Sequence, residues 1–331
     1  MSTGLTLGKF APLHKGHQHV IERALAENDH VVVLIYDAPE FTTVPLPRRA
    51  GWITKLYPTV EVLECWDGPM EVGETPEIKR MHEAYIRDRI GARKIDYFYS
   101  SEFYGEHVSH ALGAVDCRVD PARTSVPISG TAIRRDPCAH RAFLDPLVYW
   151  DLVTKVVLLG APSTGKTTLC EALAERYNTV WMPEYGREYW DLHQVDRRLT
   201  PEQLVEIAEG HRVREEALIM DANRYFFVDT EATTTRQFAR YYHNFALPRL
   251  ESLADEVLLR YDVFILCEDD IPYDDTWDRS GEVNRTVFQK QIVADLTLRK
   301  IPFVRVGGSL ESRVDLVEEI LRYASGQAQR A

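Results

Sequence analysis

Gly160-Ala161-Pro162-Ser163-Thr164-Gly165-Lys166-Thr167 is the stretch that decides the fold of the second half of the chain. It satisfies G-x-x-x-x-G-K-[ST] at every fixed position. The apolar, β-branched run Lys155–Leu159 precedes it, and Thr167–Arg176 follows with amphipathic helical spacing. Strand, glycine-bearing turn and helix start, in that order, aim successive N–H groups at one point, where the helix dipole adds positive potential. The expectation is a phosphate cradle built from Gly160, Ser163, Thr164, Gly165 and Thr168. Lys166 would reach the terminal phosphates of a nucleoside triphosphate, and the Thr167 hydroxyl would bind Mg2+. Asp229 ends the run Tyr225-Phe226-Phe227-Val228, which sets a carboxylate at the tip of a buried strand, where it can share that ion. A helix cap or turn is the competing reading of Asp229.

Working outward, Val263–Cys267 and Phe303–Val306 read as further buried strands. Leu310–Tyr323 reads as a closing helix capped by Ser309, with Gly326 just beyond its end. Glu184 follows the extended stretch Thr179–Met182 and is a candidate general base or hydroxyl acceptor, with a solvated loop carboxylate as the alternative. The charged segment from Tyr273 to Arg285 contains Gly281 and suggests a lid from which Arg279 or Arg285 closes on the transferring phosphate. A solvated loop is the alternative there.

The first half alternates strand and helix signals. Leu5–Leu7, Val31–Tyr36, Val60–Leu63 and Ile95–Tyr99 read as strands; His17–Glu27, Arg48–Leu56 and Glu77–Ile90 read as helices. Val31–Tyr36 is apolar without alternation, as a strand covered on both faces should be. At the first strand–helix junction stand Gly8, Lys9, Phe10, His14, Gly16 and His17, in the pattern His-x-Gly-His. Two imidazoles there, with backbone N–H groups and Lys9, can hold ATP phosphates and stabilise a departing pyrophosphate. Metal ligation lacks an acidic or Cys partner at suitable spacing, and helix capping is the plain alternative. Further on, Ser129 and Thr131 open another helix, and Arg134 lies one turn in, placed for a second phosphate contact.

The chain is therefore expected to be α/β, with two parallel-sheet domains, 1–150 and 151–331, meeting near Pro146–Thr154. A net charge of -12 works against polyanion partners, so neither nucleic acid nor an anionic membrane surface is expected. Five scattered cysteines without a C-x-x-C pair suggest neither a zinc site nor a disulfide framework. With no signal peptide and no membrane-length apolar stretch, a cytoplasmic location is expected. Association into a homo-oligomer is left open.

Taken together, Gly8-Lys9-Phe10-x-Pro12-x-His14-x-Gly16-His17 and Ile128-Ser129-x-Thr131-x-x-Arg134 resemble the nucleotidylyltransferase superfamily, in the version of NadR-type nicotinamide mononucleotide adenylyltransferases. Asp120-Pro121-Ala122-Arg123-Thr124, just upstream, strengthens the likeness. Pro183-Glu184-Tyr185-Gly186-Arg187 and Asp229-Thr230-Glu231 resemble the ribosylnicotinamide kinase domain of the same family. The resemblance implies a Rossmann-like nucleotidylyltransferase domain followed by a P-loop NTPase-type kinase domain. It implies two reactions: phosphorylation of nicotinamide riboside by ATP with Mg2+, then adenylyl transfer from ATP to the mononucleotide (NMN), giving NAD and pyrophosphate. It also implies small-molecule contacts at Asp120, Arg123 and Arg187. Arg48 and Trp52, at i, i+4 spacing, are candidates for the nicotinamide nucleotide, with core packing the alternative for Trp52. A different class stays open, in which one half senses NAD or ATP without turnover. Pantetheine phosphate or cytidylyl chemistry in the first half, with another nucleoside in the second, is a closer rival. Longer family members carry a DNA-binding helix-turn-helix; here the first strand begins at once, so DNA binding is not expected. The family's lid pattern, Trp-x-x-Asp-Gly-x-Arg, reads Tyr273-Asp274-Asp275-Thr276-Trp277-Asp278-Arg279 here, which leaves open whether Arg279 or Arg285 meets phosphate.

Overall fold

A computed structural model describes residues 1–328 apart from Val72, Phe103, Asp196, Arg197 and 274–281, with backbone alone at 282–283 and 325–328. The chain forms two compact units, Met1–Asp151 and Leu152–Ala331, each with its own five-stranded sheet.

In the first unit the strands are β1 (Thr3–Gly8), β2 (His30–Tyr36), β3 (Glu61–Cys65), β4 (Tyr97–Ser100) and β5 (Val115–Arg118). Between and after them run α1 (Lys15–Glu27), α2 (Leu46–Leu56), α3 (Pro76–Ile90), α4 (Gly105–Leu112), α5 (Gly130–Arg135) and α6 (Pro146–Trp150). All pairings are parallel, in the order β3-β2-β1-β4-β5, with Leu5 opposite both Val32 and Phe98. Those three side chains are fully buried, which is the reason the strand runs lack polar alternation. The strand order reverses between β1 and β4, so the loops leaving them diverge and open a crevice at the sheet's C-terminal edge. The His-x-Gly-His loop lies at that point. The helix expected from His17 starts at Lys15, because its polar first turn carries no apolar period.

The second unit has β6 (Thr154–Leu159), β7 (Trp181–Met182), β8 (Tyr225–Asp229), β9 (Val263–Cys267) and β10 (Val304–Val306), all parallel in the order β10-β9-β6-β8-β7. Its helices are α7 (Lys166–Arg176), α8 (Tyr185–His193), α9 (Pro201–Leu218), α10 (Ala232–His243), α11 (Pro248–Asp255), α12 (Val257–Arg260), α13 (Glu282–Leu298) and α14 (Leu310–Ala328). Leu158, Leu169, Leu173, Phe227, Ile265 and Leu321 belong to one buried cluster that welds α7 and α14 to the sheet. Central β6 lies between β8 and β9, and its C-terminal tip runs into the glycine-rich loop. Ser309 caps α14, accepting from Ser312 N–H at 3.2 Å. Gly326 does not end that helix, which continues to Ala328. One glycine costs a terminal turn about 1 kcal/mol relative to Ala, too little to stop it without a further breaker.

Candidate active sites

The loop after β6 owes its shape to its glycines. Gly160 has φ +145, and a Cβ there would lie 2.7 Å from Thr164 Oγ1 and 2.9 Å from the Cys267 carbonyl oxygen. Gly165 (φ +78) sits at the N-cap of α7 and offers no side-chain cap, so the first-turn N–H groups face the loop's centre. Thr164 Oγ1 donates to Ala161 O at 2.8 Å, and the Lys166 ammonium lies 3.1 Å from both Gly160 O and Ala161 O. Across the loop, Thr167 Oγ1 donates to Asp229 Oδ2 at 2.5 Å. Asp229 is fully buried, and its Oδ1 has no partner among the described residues. Burial, then the charge of Glu184, pushes its carboxyl up to about 6 against the pull of Lys166 and Thr167. A threonine hydroxyl beside an orphaned carboxylate oxygen fits Mg2+, which takes few protein oxygens and fills its octahedron with water and phosphate. Among the described residues no group of three His, Cys, Asp or Glu side chains could hold a metal by itself.

A cavity of about 430 Å³ is lined by this loop, including Ser163 and Thr168, by Glu184 and Arg187, and by the apolar Trp190, Ile207 and Phe238. Glu184 stands at the N-cap of α8, 3.8 Å from the Arg187 guanidinium. Two buried groups to which the sequence assigned no role also line it. Glu231 caps α10, accepting from Thr233 N–H at 2.7 Å and from the Thr233 hydroxyl, and burial pushes its carboxyl up to about 7. His211 stands 3.1 Å from the buried Glu215, which accepts from Arg260 Nε at 2.8 Å and Tyr261 OH at 2.5 Å. A buried carboxylate inside a helical run has no motif, so only the fold exposes the pair. Arg285 is buried, donates from Nη1 to Ile271 O at 2.9 Å, and keeps Nε and Nη2 unpartnered among the described residues. Arg279 lies outside the described residues.

In the first unit, His14 caps α1, its Nδ1 accepting from Gly16 N–H at 3.1 Å, and its ring stacks on His17 with centroids 3.7 Å apart. Phe10 packs edge-on against His17 at 5.0 Å. Burial, with Arg123 and Arg134 nearby, lowers His14 to about 4; burial and His14 itself hold His17 well below the ordinary imidazole range. Both rings are thus neutral at pH 7, able to donate one hydrogen bond each. Ser129 caps α5, accepting from Ala132 N–H at 3.2 Å. Arg134 reaches back to Ala11 O at 2.8 Å and to Thr131 Oγ1 at 3.0 Å, and a Cβ on Gly130 would lie 3.9 Å from His14 Nε2. The fold therefore brings the two motifs together, 123 residues apart in sequence at the Arg134–Ala11 bond. Lys9 and Arg134 both sit over the Phe41 ring, at 4.0 and 4.9 Å, and Lys9 pairs with Glu40 at 2.5 Å. Gly8, Lys9, Phe10 and His17 line a cavity of about 390 Å³ together with Glu102 and His107.

Four residues expected to touch substrate have partners within the fold. Asp120 spends both carboxylate oxygens inside its own turn, on the N–H groups of Thr124, Ser125 and Val126, which hold it down at about 2. Arg123 pairs with Glu102 at 2.9 Å on the cavity's edge. Trp52 is core, only 1% exposed, and its indole N–H donates to Asp151 at 2.7 Å; Arg48 lies 3.7 Å from the same carboxylate. The helix face that matters is one residue over. Arg49 is fully buried, donating to the carbonyls of Lys9, Tyr36 (3.0 Å) and Val44 (3.0 Å) and to Asp37 (3.1 Å). An arginine beside another arginine carries no signal that says which one turns inward.

Residues 155–313 match the AAA domain family. Over 96% of its length the chain is 30% identical to the trifunctional NAD biosynthesis/regulator protein NadR of Escherichia coli (strain K12), covering 83% of that protein. Over 41% of this chain it is 30% identical to a nicotinamide-nucleotide adenylyltransferase of Methanoculleus marisnigri, covering 79% of that protein. The crystal structure of a NadR protein in complex with NAD and AMP-PNP superposes with a TM-score of 0.56 at 23% identity, covering 96% of this chain and 95% of the other.

Proposed function

Because the chain belongs to the NadR family of NAD biosynthesis proteins, we propose that it carries two activities, one in each unit. The Leu152–Ala331 unit phosphorylates nicotinamide riboside with ATP. The Met1–Asp151 unit joins the resulting NMN to the adenylyl group of a second ATP, releasing pyrophosphate.

The observation that carries the kinase reading is the Thr167–Asp229 pair at the mouth of the phosphate loop, with Asp229 Oδ1 left for a cation. When bound there, Mg2+ neutralises charge on the transferring phosphoryl oxygens. Loop N–H groups and Lys166 orient the triphosphate, and the buried guanidinium of Arg285, with Nε and Nη2 unpartnered among the described residues, meets developing charge. Glu184 lines the cavity free of the Thr167 bond, and in this reading accepts the proton of the riboside hydroxyl. The apolar lining, which includes Trp190 and Phe238, takes the pyridine ring.

In the first unit the NMN phosphate attacks the α-phosphorus directly. Nothing covalent is asked of the protein, which supplies position and charge. Neutral His14 and His17 donate to phosphate oxygens, while Lys9, Arg123 and Arg134 stabilise the leaving pyrophosphate. Relatives that carry enzyme names do not favour a sensor that binds without turnover.

Product analysis tests both halves in one incubation of the full chain with Mg2+, ATP and nicotinamide riboside. The mononucleotide should appear first and NAD with pyrophosphate after it. Absence of the mononucleotide would overturn the kinase reading. Failure to make NAD from added NMN would leave the first unit a nucleotide sensor.

A further inference from the structure

Gln289 stands where helix periodicity asks for an apolar residue. α13 turns Phe288, Ile292 and Leu296 into the core, and Gln289 shares that face at 5% exposure. A buried carboxamide is tolerable only if its donor and acceptor are both used. Here each goes to the backbone of a different segment. Ala161 N–H donates to Oε1 at 2.8 Å, and Nε2 donates to the Cys267 carbonyl at 2.9 Å. These partners lie just past the last β6–β9 pair, Leu159 opposite Leu266, where the chain peels off into the phosphate loop. The carboxamide thus serves as one more rung between strands that have parted.

That rung reaches the loop's lysine through one rigid plane. Ala161 N–H and the Gly160 carbonyl belong to the same peptide group, so fixing one fixes the other. The Gly160 carbonyl accepts from the Lys166 ammonium at 3.1 Å, and the next carbonyl, of Ala161, accepts from both Lys166 and Thr164. Gly160, at φ +145, is the residue with freedom to let that peptide turn. We propose that Gln289 is a positioning residue for the phosphate loop, holding the Gly160–Ala161 peptide so that Lys166 and the loop N–H groups meet ATP in the productive arrangement. Without it, the peptide can rotate and turn a carbonyl oxygen toward phosphate, which opposes binding.

The turnover arm of the test rests on the kinase reading above; the binding arm does not. Gln289→Met keeps the side chain's shape and removes both hydrogen bonds. Gln291→Leu, on the same helix, removes a bond from Gln237 Nε2 (3.0 Å) and serves as the control for a merely structural loss. In the full chain, Q289M should weaken AMP-PNP binding by calorimetry and raise the KM for ATP at least tenfold, with the KM for nicotinamide riboside unchanged. Q291L should melt earlier without either change. Equal effects in Q289M and Q291L, or a wild-type AMP-PNP affinity in a folded Q289M, would overturn the proposal. Should Q289M not fold, Q289E decides: it keeps an acceptor for Ala161 but sets a carboxylate oxygen against the Cys267 carbonyl. It must weaken AMP-PNP at least threefold, and an unchanged affinity sinks the idea. If wild type binds AMP-PNP but phosphorylates no riboside, the kinase reading fails while the binding comparison still judges Gln289.

Discussion

Individual buried groups in both sites carry opposite pH signatures. His14 is lowered from 6.5 to about 4. Below pH 6.5 the unfolded chain therefore takes up a proton that the folded one refuses, and stability falls as pH drops toward 4. At about 1.36 kcal/mol per unit, His14 alone accounts for about 3 kcal/mol across that window, and His17 acts in the same direction. His14→Asn, which preserves the helix cap, should flatten the loss seen by urea unfolding at pH 7.5 and 5; an unchanged difference would mean the imidazole is not the cause. Asp229 behaves in reverse. Its folded carboxyl is raised from 3.8 to about 6, so stability is lost as pH rises through that interval. Asp229→Asn should then raise the melting temperature at pH 7.5, by an energy of about 2–3 kcal/mol, and leave it nearly unchanged at pH 4. The same variant should cut riboside phosphorylation at least a hundredfold, since the cation loses its carboxylate. A drop in stability at pH 7.5 would count against a strained carboxylate. Motif residues such as His14, Lys166, Thr167 and Asp229 were legible because their chemistry fixes both type and spacing. Glu231 stood in the kinase likeness without a role and His211 in no motif, because burial and not spacing makes them unusual.

At the scale of elements, legibility followed hydrophobic period. Apart from β5, the strands were readable as apolar or extended runs, and α1, α2, α3, α7 and α14 were readable from their stripes; β5 is largely exposed and carries no apolar run to read. Between β7 and β9 the sequence offered little: α8 to α12 are short or carry polar faces, and α9 alone has a full cap, Thr200 with Gln203. Of those helices α8, α9 and α10 line the second cavity, so the wall facing the phosphate loop was the part of that cavity least visible in the sequence. On α2 the period pointed to Arg48 with Trp52, whereas the fold buries Arg49 and Trp52. Arg49 ties α2 to the loops after β1 and β2 through three carbonyls and Asp37, which holds Lys9 in register. Arg49→Met should cost about 3–5 kcal/mol in urea unfolding of the first unit, because those acceptors lose their partner inside the fold. Arg49→Lys should recover little, since a point charge cannot serve a fork of four acceptors. A full rescue by lysine would show that charge and not geometry is what the site requires.

For the whole molecule, two units with separate sheets and separately lined cavities predict that the two proposed activities can be removed one at a time. His17 has no part in the second cavity and Lys166 none in the first. His17→Ala should abolish NAD formation from added NMN, while nicotinamide riboside is still phosphorylated at the wild-type rate. Lys166→Ala should do the converse, losing phosphorylation by at least two orders of magnitude, as expected when the cation on the terminal phosphates is removed. Its NAD formation from NMN should stay within twofold. Given nicotinamide riboside alone, neither variant should make NAD; mixed in one tube, the two should make it together, because NMN released by the first can be taken up by the second. Melting curves of both variants must match wild type for the comparison to count. If the mixture made no NAD while each partial activity was intact, NMN would have to pass within one chain without release, and independent sites would be the wrong description. If either single substitution removed both activities in a folded protein, the two units would share a step that their separate geometry does not contain.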